Sequence, residues 1–274
     1  MIRRVLIMIA VAALFATAAV AKKKYEPFKV PRDQFVGQVK TVALRPLAGM
    51  PEDYPRADSA KAAFESLLTA EPQQAGFKVV PASIYDQIRQ ESLDSLGGVF
   101  DPKTGAEDTT KARQVHMRNL EQLKARHQAD ALLNPRLVAL TAQFSSGSAH
   151  WDGASQKLWK GTQGVFGILD KRTGSVPAVS LLVVITDTEG NRLYVDTGGL
   201  SLAARIDGNG FKDLPEDSLF GNPLRNSNSV RLALAALTRR IRPAMSGHPS
   251  RPLQGPRRPA HDAPAACTGG PSVG

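Results

Sequence analysis

The chain has 274 residues, of which 42% are hydrophobic and 22% charged, with a formal net charge of +10 and a single cysteine, Cys267. One cysteine excludes an intramolecular disulfide framework, and the length suits one large domain or two small ones. Most of the excess positive charge lies at the two ends, because residues 25–242 carry a net charge of only about +3. That value is ordinary for a folded domain, so we expect no nucleic-acid partner.

The first 21 residues have the organisation of a secretory signal peptide. Two arginines precede an apolar run, which ends in the small-x-small pattern of Ala19 and Ala21 that signal peptidase accepts. Cleavage would leave a periplasmic or secreted chain that begins at Lys22 and has no integral membrane span. An uncleaved membrane anchor is the alternative. Because Cys267 lies far from the cleavage region, no thiol is available there for a lipid anchor.

After the signal, composition divides the chain into an extension, one domain and a tail. The expected boundaries are 22–37 for the N-terminal extension, 38–242 for a single α/β domain, 160–176 for a Gly-rich insertion within it, and 243–274 for the tail. The tail consists almost wholly of Pro, Arg, Gly, Ala, Ser and His. It has too little apolar surface to offset the entropy of ordering, so we expect it to be disordered.

The first half of the domain alternates between strand and helix patterns. The expected elements are a central strand at 39–47, a helix at 59–70, a second strand at 77–81 parallel to the first, a short helix from Ser83, an ordered turn at 97–106 and an outer helix at 109–128. Asp58 or Ser59 is the expected cap of the first helix, and Pro72 is expected to end or bend it. Ser83 and Asp86 have the spacing of a capping box.

The second half begins with a strand at 130–144, in which Pro135 must lie at a bulge or on an unpaired side. Trp151, Asp152 and Gly153 are expected near the start of a further strand, after a turn at 145–149. A polar, Gly-rich loop is expected at 207–228, followed by a final helix that starts at Ser229 or Val230 and ends at Ile241.

The stretch 177–205 has the clearest pattern, that of two paired strands. Residues 180–186 predict a strand that is buried on both faces, and the polar residues at 187–191 predict the turn that leads into its partner. Gly198 and Gly199 indicate a bulge or the close approach of another backbone. We therefore predict an α/β fold: a mixed sheet of about five strands with helices on its faces, one strand-helix-strand crossover, and a C-terminal β-hairpin followed by a helix.

The order of VKTVALRPL, AGFKVVP, the 130–144 strand and LLVVITDTEGNRLY resembles a group of bacterial envelope proteins. The group comprises the curli secretion channel lipoproteins, the N-terminal domain of the translocation protein TolB, and the lipoprotein activators of peptidoglycan synthases. The resemblance covers about residues 38–242 and implies a noncatalytic role in envelope assembly, with no catalytic residue to carry over. The chain departs from the group in lacking a lipid-accepting cysteine, and its Gly-rich insertion is short for a membrane-spanning hairpin.

Local sequence predicts no metal or cofactor site. His116 and His127 are eleven residues apart on one predicted helix, about 16 Å along its axis, so they cannot share an ion. His150 with Asp152 supplies only two ligands. Asp207, Asn209 and Asp213 resemble the start of an EF-hand calcium loop. The pattern fails because Phe211 stands where the third ligand should be and Gly210 is not at the glycine position of that loop.

Local sequence also predicts no catalytic residue, because GxSxG, SxxK and a phosphate-binding GK[ST] loop are all absent from the chain. Since catalytic groups need not be close in sequence, a periplasmic hydrolase without a recognisable local motif remains the alternative to a binding or scaffolding protein. The expected partner is an envelope protein or a cell-wall component, and a homo-oligomer stays open. The predicted partner-binding surface is Trp151, Trp159, Phe166 and Ile168, whose alternative role is to cap the end of the core.

Overall fold

The computed structural model describes residues 25–101, 103–158, 173–207 and 210–239. Its helices are α1 (Arg32–Gln38), α2 (Ala57–Gln74), α3 (Ala82–Ser95), α4 (Thr109–His127), α5 (Glu216–Phe220), α6 (Pro223–Ala233) and α7 (Ala235–Thr238). Its strands are β1 (Thr41–Leu44), β2 (Lys78–Val80), β3 (Ala131–Ser145), β4 (Ser148–Trp151), β5 (Ala154–Lys157), β6 (Thr173–Asp187), β7 (Arg192–Leu202), β8 (Ala204–Asp207) and β9 (Gly210–Asp213). The predicted signal peptide and tail lie outside these residues.

The long strands β3 and β6 pair antiparallel along all 15 of their residues and organise the main sheet. Because β6 occupies one whole edge of β3, the other edge takes β1 in parallel at 131–133 and β4 antiparallel at 143–145. β2 extends the sheet beyond β1, β7 beyond β6, and β5 beyond β4. The described chain thus forms a mixed sheet of seven strands, and the predicted α/β class is confirmed, with seven strands instead of about five.

Helices cover both faces of this sheet, as predicted. Neighbouring residues of a strand point to opposite faces, and on β1 Leu44 shares a hydrophobic cluster with Phe64 of α2, whereas Ala43 shares one with Ile88 of α3 and Leu123 of α4. Helices α6 and α7 belong to the first of these clusters. All four residues of β1 are buried. On β6, by contrast, buried Val183 and Ile185 alternate with partly exposed Leu182 and Val184, so the prediction that residues 180–186 are buried on both faces was wrong.

The far end of the sheet curls back on itself. The β4–β5 hairpin approaches β7, where the Gly199 amide donates to the Asp152 carbonyl at 2.9 Å. The Gln156 amide group spans the same gap, donating to the Leu200 carbonyl at 3.1 Å and accepting from the Leu202 amide at 3.2 Å. A third hydrophobic cluster fills the curl, made of Ala142, Ala149, Trp151, Leu158, Val176, Ala178, Leu202 and Ala204.

The expected N-terminal extension contributes to the fold. Phe28 and Phe35 are buried in the largest cluster, and the chain at 27–29 runs antiparallel beside β7. There the Lys29 amide donates to the Leu193 carbonyl and the Val195 amide to the Pro27 carbonyl, each at 2.9 Å. These bonds occupy the outer edge of β7, which would otherwise be open to pairing with another chain.

The interpretation of Pro135 is supported by its hydrogen bonds. Its carbonyl accepts from the Ala48 amide at 3.2 Å, so Pro135 faces the edge of β3 that carries β1. β1 has already ended at Leu44, and the missing N–H therefore removes no bond of the ladder. The predicted outer helix is also present as α4, with Asp108 accepting from the amides of Thr110 and Lys111 at its start.

Two helix boundaries differ from the prediction. α2 starts at Ala57 with Arg56 at its N-cap, so neither Asp58 nor Ser59 caps it, and it continues through Pro72 to Gln74. Pro72 is tolerated because it lies in the last turn, where only one intrahelical bond is lost. α3 starts at Ala82 and has no side-chain cap, because the helix has already begun before Ser83.

The prediction for Trp151 to Gly153 was wrong. Trp151 ends β4, and Asp152 and Gly153 form a two-residue turn with φ of 40° and 76°. Ser146 and Gly147 form the preceding turn in the same way, with φ of 49° and 74°. Positive φ at both central positions matches the twist of a hairpin, and Asp-Gly is among the favoured pairs there.

The prediction of a loop at 207–228 was also wrong, because these residues include β9, α5 and the start of α6. α6 begins at Pro223, since the Asn222 side chain accepts from the amides of Leu224 and Arg225, and a break at Leu234 separates it from α7. Residues 173–176 of the expected Gly-rich insertion belong to β6. Ile241 and the insertion at 160–172 lie outside the described residues.

Both alternatives raised for Gly198 and Gly199 are present. The pairing of β6 with β7 shifts register between Val179 and Ser180, which places a bulge next to Gly199. A Cβ atom on Gly198 would lie 2.0 Å from the backbone oxygen of Ser229 in α6, and one on Gly199 would lie 2.5 Å from the Cβ of Ala154 in β5. The two glycines thus let backbones approach β7 from opposite faces.

We predict that Gly198→Ala destabilises the protein by about 3 kcal/mol, the upper end of the cost of overpacking, because the Ser229 carbonyl belongs to a helix backbone and cannot move away alone. Gly37→Ala in α1 is the matched control, since nothing lies within 4 Å of its added Cβ. Urea denaturation of both variants measures the difference. Equal midpoints for Gly198→Ala and the parent chain would contradict the close approach.

Candidate functional site

Of the predicted partner-binding surface, the structure describes only Trp151. Its side chain is buried in the third cluster and its indole N–H donates to the Val179 carbonyl at 3.2 Å, so it contributes to the core at the curled end of the sheet. Trp159, Phe166 and Ile168 lie outside the described residues, and the surface that they would form stays a prediction.

The histidines and carboxylates considered as metal ligands are dispersed. Among the described residues, no three His, Cys, Asp or Glu side chains are grouped closely enough to hold a metal ion. His116 is exposed on α4, where partial desolvation and then the nearby Arg45 lower the pKa of its imidazole. His150 is exposed on β4 and Asp213 on β9. The side chain of Asp207 and all of Asn209 lie outside the described residues.

An open cleft of about 920 Å³ lies between the β8–β9 hairpin and the α5–α6 segment. Its lining is Arg205, Ile206, Lys212, Asp213, Leu214, Pro215, Asp217, Ser218, Gly221, Asn222, Pro223, Leu224 and Arg225, and we call it the basic cleft. Two exposed apolar side chains belong to its surroundings: Leu224 on its rim is 81% exposed, and Phe211 on β9 is 54% exposed. The cleft therefore combines cationic and apolar surface.

Strand register brings the cations of the basic cleft together. Arg205 of β8 is directly opposite Lys212 of β9, so the two side chains leave the hairpin on the same face. Arg225 adds a third cation from the first turn of α6, and its guanidinium is near enough to Arg205 for their repulsion to be felt. Like charges held this close are destabilising, so the arrangement opposes folding.

Arg225 is held in place by neutral acceptors. Its Nη1 donates to the Ser201 hydroxyl at 3.1 Å and to the Ser218 carbonyl at 3.2 Å. Burial, together with repulsion from Arg205, lowers the pKa of Arg225. The Nε of Arg205 is buried and donates to no acceptor in the described part of the chain. Both guanidinium groups thus keep donors for a ligand.

A second, smaller depression of about 340 Å³ lies beside the β4–β5 turn. It is lined by Tyr25, Asp152, Gly153, Asp196, Thr197 and Leu232, and we call it the acid pocket. The Tyr25 hydroxyl donates to the Val195 carbonyl at 2.6 Å. Burial of that hydroxyl raises the pKa of Tyr25, and the carboxylates of Asp196 and Asp152 raise it further.

Asp196 is the perturbed carboxyl of the acid pocket. Burial raises its pKa, and the Asp152 carboxylate adds to the effect, against the lowering contributions of the Thr197 amide and the Tyr194 hydroxyl. The buried Tyr194 has one hydroxyl hydrogen, and its shorter bond is to the Ala233 carbonyl at 2.8 Å, compared with 3.3 Å to Asp196. A protonated Asp196 can in turn donate to the phenol oxygen, which agrees with a raised pKa.

No family model matches the chain, and no curated protein matches it. A solved structure, a PelC dodecamer from Paraburkholderia phytofirmans, is 14% identical over 74% of this chain and 91% of that one, with a TM-score of 0.28. A likeness at this level supports no statement about the fold or function of the present chain. Within the described residues, no helix is long and apolar enough to cross a membrane.

We predict that Asp196→Asn raises thermal stability at neutral pH. With a folded-state pKa above the ordinary value of 3.8, the native protein binds this proton more tightly than the unfolded chain does. Stability contributed by the protonated group is therefore present below 3.8 and is lost as pH rises through the raised pKa. The Tm of the variant should therefore exceed that of the parent chain by an amount that is small below pH 3.8 and grows as the pH rises through the folded-state pKa of Asp196.

Thermal unfolding of the two proteins over a series of pH values measures this effect. Asp53→Asn is the control, because Asp53 is exposed in a turn, and its difference from the parent should not change in this way with pH. A constant difference for Asp196→Asn would show that its carboxyl titrates alike in the folded and unfolded chains.

Proposed function

We propose that this chain is an exported, noncatalytic binding component of the bacterial cell envelope. The observation that carries the proposal is the basic cleft, whose lining includes both Arg205 and Arg225 together with the exposed apolar side chain of Leu224. A guanidinium keeps its proton at physiological pH, so paired arginines suit the holding of a charged group better than the transfer of a proton. Exposed Leu224 adds apolar contact at the rim.

The sequence supports the proposed compartment and role. The signal-peptide pattern at 1–21 supports a periplasmic or secreted location. The resemblance of residues 38–242 to envelope assembly proteins supports a binding or scaffolding role, with an envelope protein or a cell-wall component as partner. A second copy of the chain is a further candidate for the partner.

We predict that a photo-crosslinking residue in place of Leu224 forms a discrete adduct in living cells, because that side chain stands 81% exposed at the rim of the basic cleft. The same residue in place of Phe100 is the matched control. Phe100 is 62% exposed but lies between α3 and α4, outside the lining of the cleft. Adding Arg205→Gln should remove the Leu224 adduct and leave any Phe100 adduct unchanged.

The same cells, when fractionated, should hold the processed chain outside the cytoplasm with Lys22 as its first residue. A full-length cytoplasmic protein would contradict export. An exported protein that gives equal adducts from both positions, or none from Leu224, would contradict the cleft as the binding surface. The mass of the adduct distinguishes a protein, a glycan and a second copy of the chain.

A periplasmic hydrolase is the second candidate, and the acid pocket is the observation that favours it. A hydrolase can use two carboxyls in one pocket, one as the general acid and the other as the general base. Asp196, whose pKa burial raises, would then be the acid, and Asp152 across the pocket would be the base. Tyr25 would contact the substrate at the rim of the pocket.

The hydrolase candidate predicts turnover of an envelope glycan or peptide by the purified protein, with a loss of at least about a hundredfold in Asp196→Asn, the usual contribution of a general acid. Asp213→Asn, on the distant β9, is the control and should retain full activity. Equal residual rates for the parent chain and Asp196→Asn would exclude the acid pocket as a catalytic site.

A further inference from the structure

We propose that the basic cleft is an oxyanion-binding site, in which Arg205 and Arg225 together hold a carboxylate or phosphate group. The inference rests on the binding function proposed above and adds the chemistry of the ligand. The cations of the cleft lie on β8, β9 and α6, so a bound oxyanion would link the β8–β9 hairpin to α6.

The first argument is the repulsion between the two guanidinium groups of the cleft. Arg225 and Arg205 both line the cleft, from α6 and from β8, and burial followed by the charge of Arg205 lowers the pKa of Arg225. An oxyanion between the guanidinium groups would convert this repulsion into attraction. The arrangement therefore favours an occupied state electrostatically, before any specific contact is counted.

The second argument is the supply of hydrogen-bond donors. Arg225 has five N–H groups, and both of its bonds to the protein leave from Nη1, toward Ser201 and Ser218. The side chain of Arg205 makes no hydrogen bond to the described residues, and because its Nε is enclosed, its two Nη groups are the donors that a ligand in the cleft can reach. A planar guanidinium fork matches the two oxygens of a carboxylate or phosphate, and such charge-assisted bonds are stronger than those to neutral acceptors.

The third argument is that the acidic side chains along the cleft are directed elsewhere. Asp217 accepts from the Tyr54 hydroxyl at 2.9 Å and lies 3.8 Å from the guanidinium of Arg56, both from other elements. Asp213 follows Lys212 on β9, so its side chain leaves the hairpin on the opposite face. Neither carboxylate forms an ion pair with Arg205 or Arg225 in the described structure.

The apolar part of the lining indicates what accompanies the oxyanion. Leu214 and Leu224 line the cleft together with the two arginines, and Leu224 is largely exposed. A ligand with an apolar body next to its acidic group would cover this surface, which inorganic phosphate alone would leave in water. Soluble compounds and lipid headgroups both carry such acidic groups. An experiment with lipid vesicles distinguishes these two sources of the ligand.

Calorimetric titration of the exported protein, purified from cells, tests the proposal with inorganic phosphate and with citrate at low ionic strength. Both should bind saturably, and Arg205→Gln should weaken each by at least about tenfold, the loss expected for one charge-assisted contact. Arg231→Gln is the matched control on the same helix, because Arg231 pairs with Glu71 outside the lining of the cleft. It should bind within about twofold of the parent chain, as expected for an exposed pair.

A stability measurement separates binding from folding. Without ligand, Arg205→Gln should raise Tm by about 1 to 4 °C, because it removes a charge that repels Arg225. Arg225→Gln should also lose binding, but it removes the donor to the Ser201 hydroxyl and the Ser218 carbonyl as well. If Arg225→Gln fails to fold for that reason, Arg205→Gln decides the outcome. Saturable binding that is unchanged in Arg205→Gln, or no binding by the parent chain, would overturn the proposal.

Vesicles containing phosphatidylglycerol identify the source of the oxyanion. Vesicle binding that inorganic phosphate displaces would assign a lipid headgroup, whereas a protein that binds the free ions but does not bind the vesicles would have a soluble ligand, and both outcomes support the oxyanion site. The titration needs no cellular partner. A chain with intact Arg205 that gives no Leu224 adduct but binds phosphate would therefore contradict the proposed function alone. A chain that gives the adduct but binds no phosphate would contradict the oxyanion site alone.

Discussion

The backbone contacts at Gly198 and Gly199 set the geometry of both candidate sites. Successive residues of a strand face opposite sides of a sheet, so two adjacent glycines let α6 approach β7 from one face and the β4–β5 hairpin approach it from the other. The helix contact is reinforced where the Ser229 hydroxyl donates to the Gly198 carbonyl at 2.8 Å. Because α6 is fixed there, Arg225 in its first turn lines the basic cleft beside the β8–β9 hairpin. The opposite contact fixes the turn that carries Asp152 beside Asp196.

The elements that could be predicted were those whose signal is local. β1, β2 and β3 are apolar runs, α4 has an Asp cap at its start, and the β6–β7 hairpin has a polar turn between apolar strands. The elements that were missed have little apolar content of their own. The α5–α6 segment is polar along much of its length, but Asn222 before Pro223 was a usable start signal, since Asn caps and Pro is favoured in the first turn. The Ser146-Gly147 and Asp152-Gly153 pairs, which form the β3–β4 and β4–β5 turns, could likewise have predicted those two hairpins.

The basic cleft could not be predicted, because no short window of sequence contains it. Arg205, Lys212 and Arg225 are ordinary cations when considered singly, and only the register of β8 with β9 and the packing of α6 bring them together. Trp151 shows the same limit. As the last residue of β4 its side chain falls on the inner face of the curl, and a one-residue change of register would have placed it outside.

The two sites differ in how far the protein itself relieves their charges. In the acid pocket, Asp196 accepts from the Thr197 amide at 2.9 Å and lies 3.3 Å from the Tyr194 hydroxyl, so donors of the protein itself face the carboxyl. In the basic cleft, an arginine cannot shed its charge within the range of physiological pH, and Arg205 has a buried donor without an acceptor in the described structure. Folded chains tend to violate local rules of stability where function requires it. By that criterion, the two arginines support the proposed binding function over the hydrolase candidate.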